Sequence, residues 1–197
     1  MSFLPLNKII SSAIPLPVDH IDTDQIIPAR FLKATTRDGF GKNLFAEWRY
    51  DENGKPKPDF ILNKDVPKAE ILFAGQNFGC GSSREHAAWA LYDYGFKVVM
   101  APGFADIFRN NALNNGILPI DVPDRYYDKI LGLIADNPNT IFHINLECEL
   151  VELPGTNIAF PIVINGFKRR CLMEGIDLVD FMINQHKEIA SYELKRY

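Results

Sequence analysis

The octapeptide Gly79-Cys80-Gly81-Ser82-Ser83-Arg84-Glu85-His86 gathers two hydroxyls, a thiol, a guanidinium and an imidazole among small flexible residues. Such a set suits a small anion. Glycines let a ligand approach the backbone, and the planar fork of Arg84 can grip a carboxylate or phosphate through two parallel hydrogen bonds. The apolar run Ala69-Glu70-Ile71-Leu72-Phe73-Ala74 before the octapeptide reads as a buried strand, and Glu85 to Tyr94 after it reads as a helix stopped by Gly95. A helix start leaves backbone N–H groups unpaired, and its dipole favours negative charge there. The same residues support further readings. Ser82-Ser83-Arg84-Glu85 also fits a capping box, with the serine at the N-cap and the glutamate three residues on. A nucleotide-phosphate loop fits poorly, because no lysine stands between Lys68 and Lys97. Cys80, near a helix start, is either a thiolate nucleophile with His86 as its base or a structural cysteine.

A second constellation lies near the start. Asp19-His20-Ile21-Asp22-Thr23-Asp24 brings three carboxylates and an imidazole together, which invites a divalent-metal reading. It lacks the glycine and distal glutamate of a calcium loop, and Asx turns or capping by Asp22 or Asp24 would account for the same residues. The stretch from Lys33 to Lys57 mixes glycines and prolines with charged and aromatic residues, a composition expected of a long mobile loop acting as a lid or as an inert excursion. Cys80, Cys148 and Cys171 form no CxxC pattern and, being odd in number, no disulfide framework. His143 sits in an apolar strand pattern and reads as a core or edge histidine.

The elements that position these residues alternate. Phe96-Lys97-Val98-Val99-Met100-Ala101 is a second strand, so residues 69–101 make a βαβ unit with a parallel pairing. Phe104 to Asn115 is predicted to be a helix, Ile117-Leu118-Pro119-Ile120 a third strand, and Pro123 to Ala135 another helix. Thr140 to Leu146, Glu149 to Leu153 and Ile158 to Ile164 read as strands of a β-rich segment, and Leu178 to Tyr192 as a helical tail docking through Leu178, Phe181, Met182, Ile189 and Tyr192. The fold class is therefore α/β with a parallel core, after a first third read as polar and loop-rich. At 197 residues the chain is expected to be one domain. A net charge of −4 argues against a nucleic-acid partner. No run of about 18 apolar residues could span a membrane, and Met1-Ser2-Phe3-Leu4-Pro5 has no secretory pattern, so a cytoplasmic location is expected.

Taken together, Asp22-Thr23-Asp24-Gln25-Ile26-Ile27-Pro28-Ala29-Arg30-Phe31-Leu32, Asn77 to Ala87, Phe104-Ala105-Asp106-Ile107-Phe108 and Gly116-Ile117-Leu118-Pro119 resemble the small subunits of bacterial 3-isopropylmalate dehydratases. The segment from Asn165 to Asp177 is also similar, although that family more often has Asp-Pro where this chain has Asn165-Gly166.

The resemblance implies the swivelling β/β/α domain of the aconitase superfamily and a hydro-lyase acting on a small dicarboxylate in leucine biosynthesis. It implies a large-subunit partner carrying a 4Fe-4S cluster, with no cluster on this chain. By the same resemblance Ser82 is the base, acting as an alkoxide, Ser83 and Arg84 bind a substrate carboxylate, and Asp24 faces the cluster. Phe31 and Leu32 are expected to cover the substrate's apolar group, while Arg30 and Arg37 lie in the same substrate loop at about 30–60. Arg37 leaves open a third carboxylate, as in homoaconitase. A methylmalate or citraconate hydratase and a non-catalytic anion-binding module stay open as well.

Overall fold

The computed structural model describes residues 3–33, 35–64 and 68–194. Met1, Ser2 and Ala34, which belong to the readings of the N-terminus and the substrate loop, lie outside them. Along the chain come β1 (Lys8–Ser11), β2 (Ala13–Leu16), the short helices α1 (Thr23–Ile26) and α2 (Ala46–Arg49), β3 (Ile71–Ala74), α3 (Glu85–Tyr94), β4 (Val98–Ala101), α4 (Asp106–Asn114), β5 (Leu118–Asp121), α5 (Asp124–Asp136), β6 (Phe142–Asn145), β7 (Leu150–Leu153), β8 (Ile158–Pro161), α6 (Gly166–Glu174), α7 (Leu178–Asn184) and α8 (His186–Leu194). Strands β2, β3, β4 and β5 pair in that order as a parallel sheet, and β1, β6, β7 and β8 form an antiparallel one.

The parallel strands are apolar because both faces of their sheet are covered. Ile71, Phe73, Val98, Met100, Leu118 and Ile120 pack with Phe142, Ile144, Val151, Leu153 and Phe160 of the antiparallel sheet and with Ile130 and Ile134 of α5. Leu72, Ala74, Val99 and Ala101 point the other way, onto Ala87, Ala90 and Leu91 of α3 and Phe108 and Ala112 of α4. The layers are thus sheet, sheet, helices, the β/β/α order expected. The antiparallel strands have one covered face, and β6 to β8 alternate buried with less buried residues. His143 is neither a core nor an edge histidine as expected: it falls on the exposed face of β6, an inner strand, between Ile10 of β1 and Glu152 of β7.

Three expectations need correction. First, the N-terminal third is not loop-rich throughout: it holds β1 and β2, in which Lys8, Ser11 and Pro15 break the apolar run that marks the parallel strands β3 and β4. The chain passes from one sheet to the other at Ser12. Second, the stretch from Lys33 to Lys57 is no bare excursion. Phe40, Leu44, Phe45 and Ala46 are buried, and Phe40, Leu44 and Phe45 join the helix-side core, where Phe45 stacks on Trp48 with centroids 5.4 Å apart. Asp93 of α3 accepts from the N–H of Gly41 at 2.7 Å and of Gly39 at 3.3 Å, and Arg49 donates to the carbonyls of Gly41, Lys42 and Leu44. Third, the helical tail breaks at Gln185 into α7 and α8 and leaves its apolar face in solvent, with Met182 56% and Tyr192 63% exposed. Phe181 touches the body edge-on at Phe167, with 4.8 Å between centroids, and lies under Arg170 at 5.7 Å.

Gly41 shows how closely the excursion sits on α3, since a Cβ there would fall 2.7 Å from the Tyr94 Cα. The substitution Gly41→Ala should lower stability by about 1–3 kcal/mol through overpacking. Gly132, inside α5 with open space around it, should respond oppositely, Gly132→Ala adding roughly 0.5–1 kcal/mol. Urea unfolding midpoints of the two variants check both signs.

Candidate functional site

Strands of a parallel sheet point their carboxyl ends at one edge, where connecting loops gather and ligands commonly bind. Here the loops after β2, β3 and β4 meet at that edge and are laced together. His20 N–H donates to Gln76 O at 2.7 Å and Gln76 N–H to Asp19 Oδ1 at 2.8 Å. Phe78 N–H donates to Gly103 O and Ala105 N–H to Phe78 O, so Phe78 and Phe104 form a parallel bridge. Asp22 and Cys80 form another. The octapeptide is thereby held between the loop that follows β2 and the one that follows β4.

Two glycines make this path possible. Gly79 and Gly81 have φ of +75° and +85°, the left-handed region that residues with a Cβ rarely adopt. A Cβ on Gly79 would lie 2.5 Å from Phe108 Cβ, and one on Gly81 would lie 2.5 Å from Asp22 Oδ2. Ser82 and Ser83 emerge exposed immediately afterwards. Neither caps the following helix. The N-cap of α3 is Arg84, with no side-chain cap, so the capping-box reading of Ser82 and Glu85 fails. The capping box is formed instead by Asp22 and Gln25 on α1: Asp22 Oδ1 accepts from Asp24 N–H at 2.5 Å and Gln25 Oε1 from Asp22 N–H at 2.8 Å.

The three carboxylates read as possible metal ligands are each spent on protein donors. Asp19 serves Gln76, Asp22 caps α1, and Asp24 takes Arg84 in a two-point ion pair, Arg84 Nη2 to Asp24 Oδ2 measuring 2.7 Å. Arg84 Nη1 meets Asp24 Oδ1 and also donates to Ile27 O at 3.2 Å. The fork expected to bind a substrate carboxylate therefore holds an internal carboxylate in this structure. Thr23, buried, donates from its hydroxyl to Ser82 O at 2.8 Å and from its N–H to Cys80 O at 2.9 Å. Sequence reasoning gives Thr23 no role of its own. The signal for one is its position between two aspartates on a loop that must touch the octapeptide.

Glu85, at the start of α3, joins a further network. Asn115, 2% exposed, donates to Glu85 Oε1 at 3.0 Å and accepts from Trp89 Nε1 at 3.0 Å. Arg37 lies 3.5 Å from Glu85 Oε1 and over the Trp89 ring at 4.7 Å. Arg37 thus sits at the flank of α3, beside a cavity of about 430 Å³ that Trp89 and Tyr92 share. Arg30 pairs with Glu47 and lies over Phe31 at 4.6 Å; both line a larger cleft of about 880 Å³ with Tyr50 and Lys57. Leu32 is half-buried nearby. Ser82, Ser83 and Arg84 line neither hollow. The structure therefore brings Asp24 and Arg84 together beside the two serines and puts Arg30 with Phe31, and Arg37, in separate hollows.

Cys80 does not suit a nucleophile. Its thiol donates to His20 O at 3.3 Å, while the His86 ring packs against Trp89 and Phe40, with centroids 4.3 and 5.7 Å away. Burial, and then the Asp22 carboxylate, push the Cys80 thiol above its ordinary pKa. A raised value leaves less thiolate at neutral pH. Nor do the three cysteines suit a cluster. Cys171 is buried in α6, Cys148 is exposed in the turn between β6 and β7, and Cys80 is held to His20. Among the described residues no three metal-ligating side chains come together.

The fold and the carboxyl-edge loop site belong to a recognised class: the family model described as the aconitase C-terminal domain matches residues 6–125. The 3-isopropylmalate dehydratase small subunit of Cytophaga hutchinsonii is 50% identical over 93% of this chain and 91% of its own length. That of Karelsulcia muelleri is 52% identical over 95% of both chains. A solved 3-isopropylmalate dehydratase from Methanocaldococcus jannaschii matches at 31% identity with a TM-score of 0.66, covering 94% of this chain and 99% of that one. The chain belongs to the family of 3-isopropylmalate dehydratase small subunits. Asn165 caps α6, its side chain accepting from the N–H groups of Phe167 and Lys168.

The thiol assignment has a direct check. Iodoacetamide should alkylate Cys80 more slowly than free cysteine at pH 7, with a rate midpoint above the ~8.5 of the free thiol, followed by peptide mass spectrometry. A midpoint below 7 would restore the nucleophile reading.

Proposed function

We propose that this chain completes the active site of a 3-isopropylmalate dehydratase. With a large subunit it interconverts 2-isopropylmalate and 3-isopropylmalate through 2-isopropylmaleate, a step of leucine biosynthesis. The observation that carries the site assignment is the exposed pair Ser82 and Ser83 on a loop tied to the Asp22-Thr23-Asp24 segment at the carboxyl edge of the parallel sheet. Family membership supports the reaction. The location read for such an enzyme is the cytoplasm; among the described residues no helix is long and apolar enough to cross a membrane.

Each half of the reaction moves a proton at a carbon beside a carboxylate and a hydroxyl at the neighbouring carbon. In dehydration the C–H pair forms the double bond as hydroxide leaves; hydration reverses this with the positions exchanged. Ser82 is the base that takes and returns the proton. A serine hydroxyl is a weak base, so its oxyanion needs fixed donors, and an N–H-rich helix start supplies them without reorganisation. Asp24 holds Arg84 beside this loop. The thiols of this chain do not fit an iron–sulfur cluster, and the cluster belongs to the large subunit, where it supplies a Lewis acid for the substrate hydroxyl. Phe31 and Leu32, with Arg30 and Arg37, are the candidates for reading the substrate's variable group, on a loop whose root is the packed segment around Phe45.

In the reconstituted heteromer Ser82→Ala should cost about 10²–10⁴ in kcat with assembly intact, as measured by mass and steady-state kinetics. Cys80→Ala should stay within a few-fold of wild type. Full activity of the Ser82→Ala heteromer would remove the base assignment. Asp24→Asn, which loosens Arg84, should lower kcat/KM by about tenfold, the loss expected for a charge-assisted bond.

A further inference from the structure

We propose that Thr23 is a positioning residue that aims two backbone N–H groups of the catalytic loop at a substrate carboxylate. The inference rests on the reading that this loop belongs to the dehydratase active site and gives that loop its anion donors. A trans peptide is planar, so its C=O and the following N–H point in opposite directions. The chain has no cis peptide bond among the described residues. Thr23 binds two carbonyls of the loop at once: its N–H reaches Cys80 O at 2.9 Å and its hydroxyl reaches Ser82 O at 2.8 Å. The N–H groups sharing those two peptides belong to Gly81 and Ser83. Both therefore point away from Thr23, which is 1% exposed, on a loop whose Gly81, Ser82 and Ser83 are exposed. Neither N–H donates to a backbone acceptor among the described residues.

Gly81 makes the arrangement possible. It lies between the two held peptides with a φ of +85°, and a Cβ there would fall 2.5 Å from Asp22 Oδ2, so only glycine lets the loop run this close to the Asp22-Thr23 segment. Two N–H groups aimed the same way form a concavity that binds an anionic oxygen. The neighbouring guanidinium of Arg84 is already satisfied by Asp24 and Ile27 O. The N–H pair is thus the donor set beside Ser82, and a carboxylate of a small dicarboxylate is its ligand. Thr23 itself touches no substrate; it acts through the peptides it holds.

The test uses the heteromer with its large subunit and compares Thr23→Val, which keeps the shape and loses the hydroxyl, with Thr23→Ser, which keeps the hydroxyl. Loss of aim should raise KM for isopropylmalate about tenfold or more in Thr23→Val, while kcat changes less, and Thr23→Ser should return KM to within a few-fold of wild type. A general loosening of the fold would instead lower kcat through the active fraction. An unchanged KM in Thr23→Val, or an equal rise in both variants, overturns the proposal. If Thr23→Val does not assemble, Thr23→Ala, which also loses the hydroxyl, takes its place, and a wild-type KM there overturns the proposal equally. Ser82→Ala in the same assay keeps the two readings apart, because its loss of kcat tests the base and leaves the role of Thr23 to the KM comparison.

Discussion

The docking of residues 21–24 across residues 79–84 is the interaction on which the site depends. Gly79 N–H and Cys80 N–H donate to Ile21 O, Thr23 grips the carbonyls of Cys80 and Ser82, and Asp24 takes Arg84. These bonds join segments about sixty positions apart in sequence. Most of the groups are backbone, so their satisfaction is obligatory wherever water is excluded. An exposed glycine-rich loop would otherwise sample many conformations; here its path is defined by the partner segment, by Phe108 under Gly79 and by Asp22 beside Gly81.

That junction exists because the parallel sheet is buried on both faces. Alternate residues of β3 and β4 face the antiparallel sheet and the helices in turn, which fixes the register of each strand. With the strands fixed, their carboxyl ends deliver the loops after β2, β3 and β4 to one edge. The excursion from residue 35 to 64 then adds to the helix-side core rather than hanging from it, with Asp93 and Arg49 as its ties. Of the residues proposed to read the substrate, Arg37 stands on this excursion, close in sequence to the buried Phe40 and Leu44.

Long periodic stretches are legible from sequence. The βαβ pattern of residues 69–120 appears as β3, α3, β4, α4 and β5, because four-residue apolar strands between Gly-stopped helices leave few other arrangements. The first two strands are not. Lys8 to Leu16 holds both with no helix between them, and Lys8, Ser11, Ser12 and Pro15 interrupt its apolar residues, so no continuous apolar run marks them. Capping fits Ser82 and Asp22 equally well by sequence and is realised at Asp22, since both carry the same local signature and only the approach of a distant segment decides between them. The tail pattern reads as helical, and it is helical, but an apolar stripe does not say what covers it.

By itself the sequence determined the residue types and order at the site: glycines where the backbone must turn left-handed, two serines at a helix start, and an Asp-Thr-Asp segment of the same family. It also determined the two-faced apolar strands, because a continuous apolar run is a local property of the chain. Tertiary structure decided which donor meets which acceptor. It gave Arg84 to Asp24, aimed Thr23 at the Ser82 peptide, held Cys80 against His20 and divided Arg30 from Arg37. The physical reason is range. A hydrogen bond acts over about 3 Å, and which groups come that close is set by the packing of strands and helices, not by their spacing along the chain.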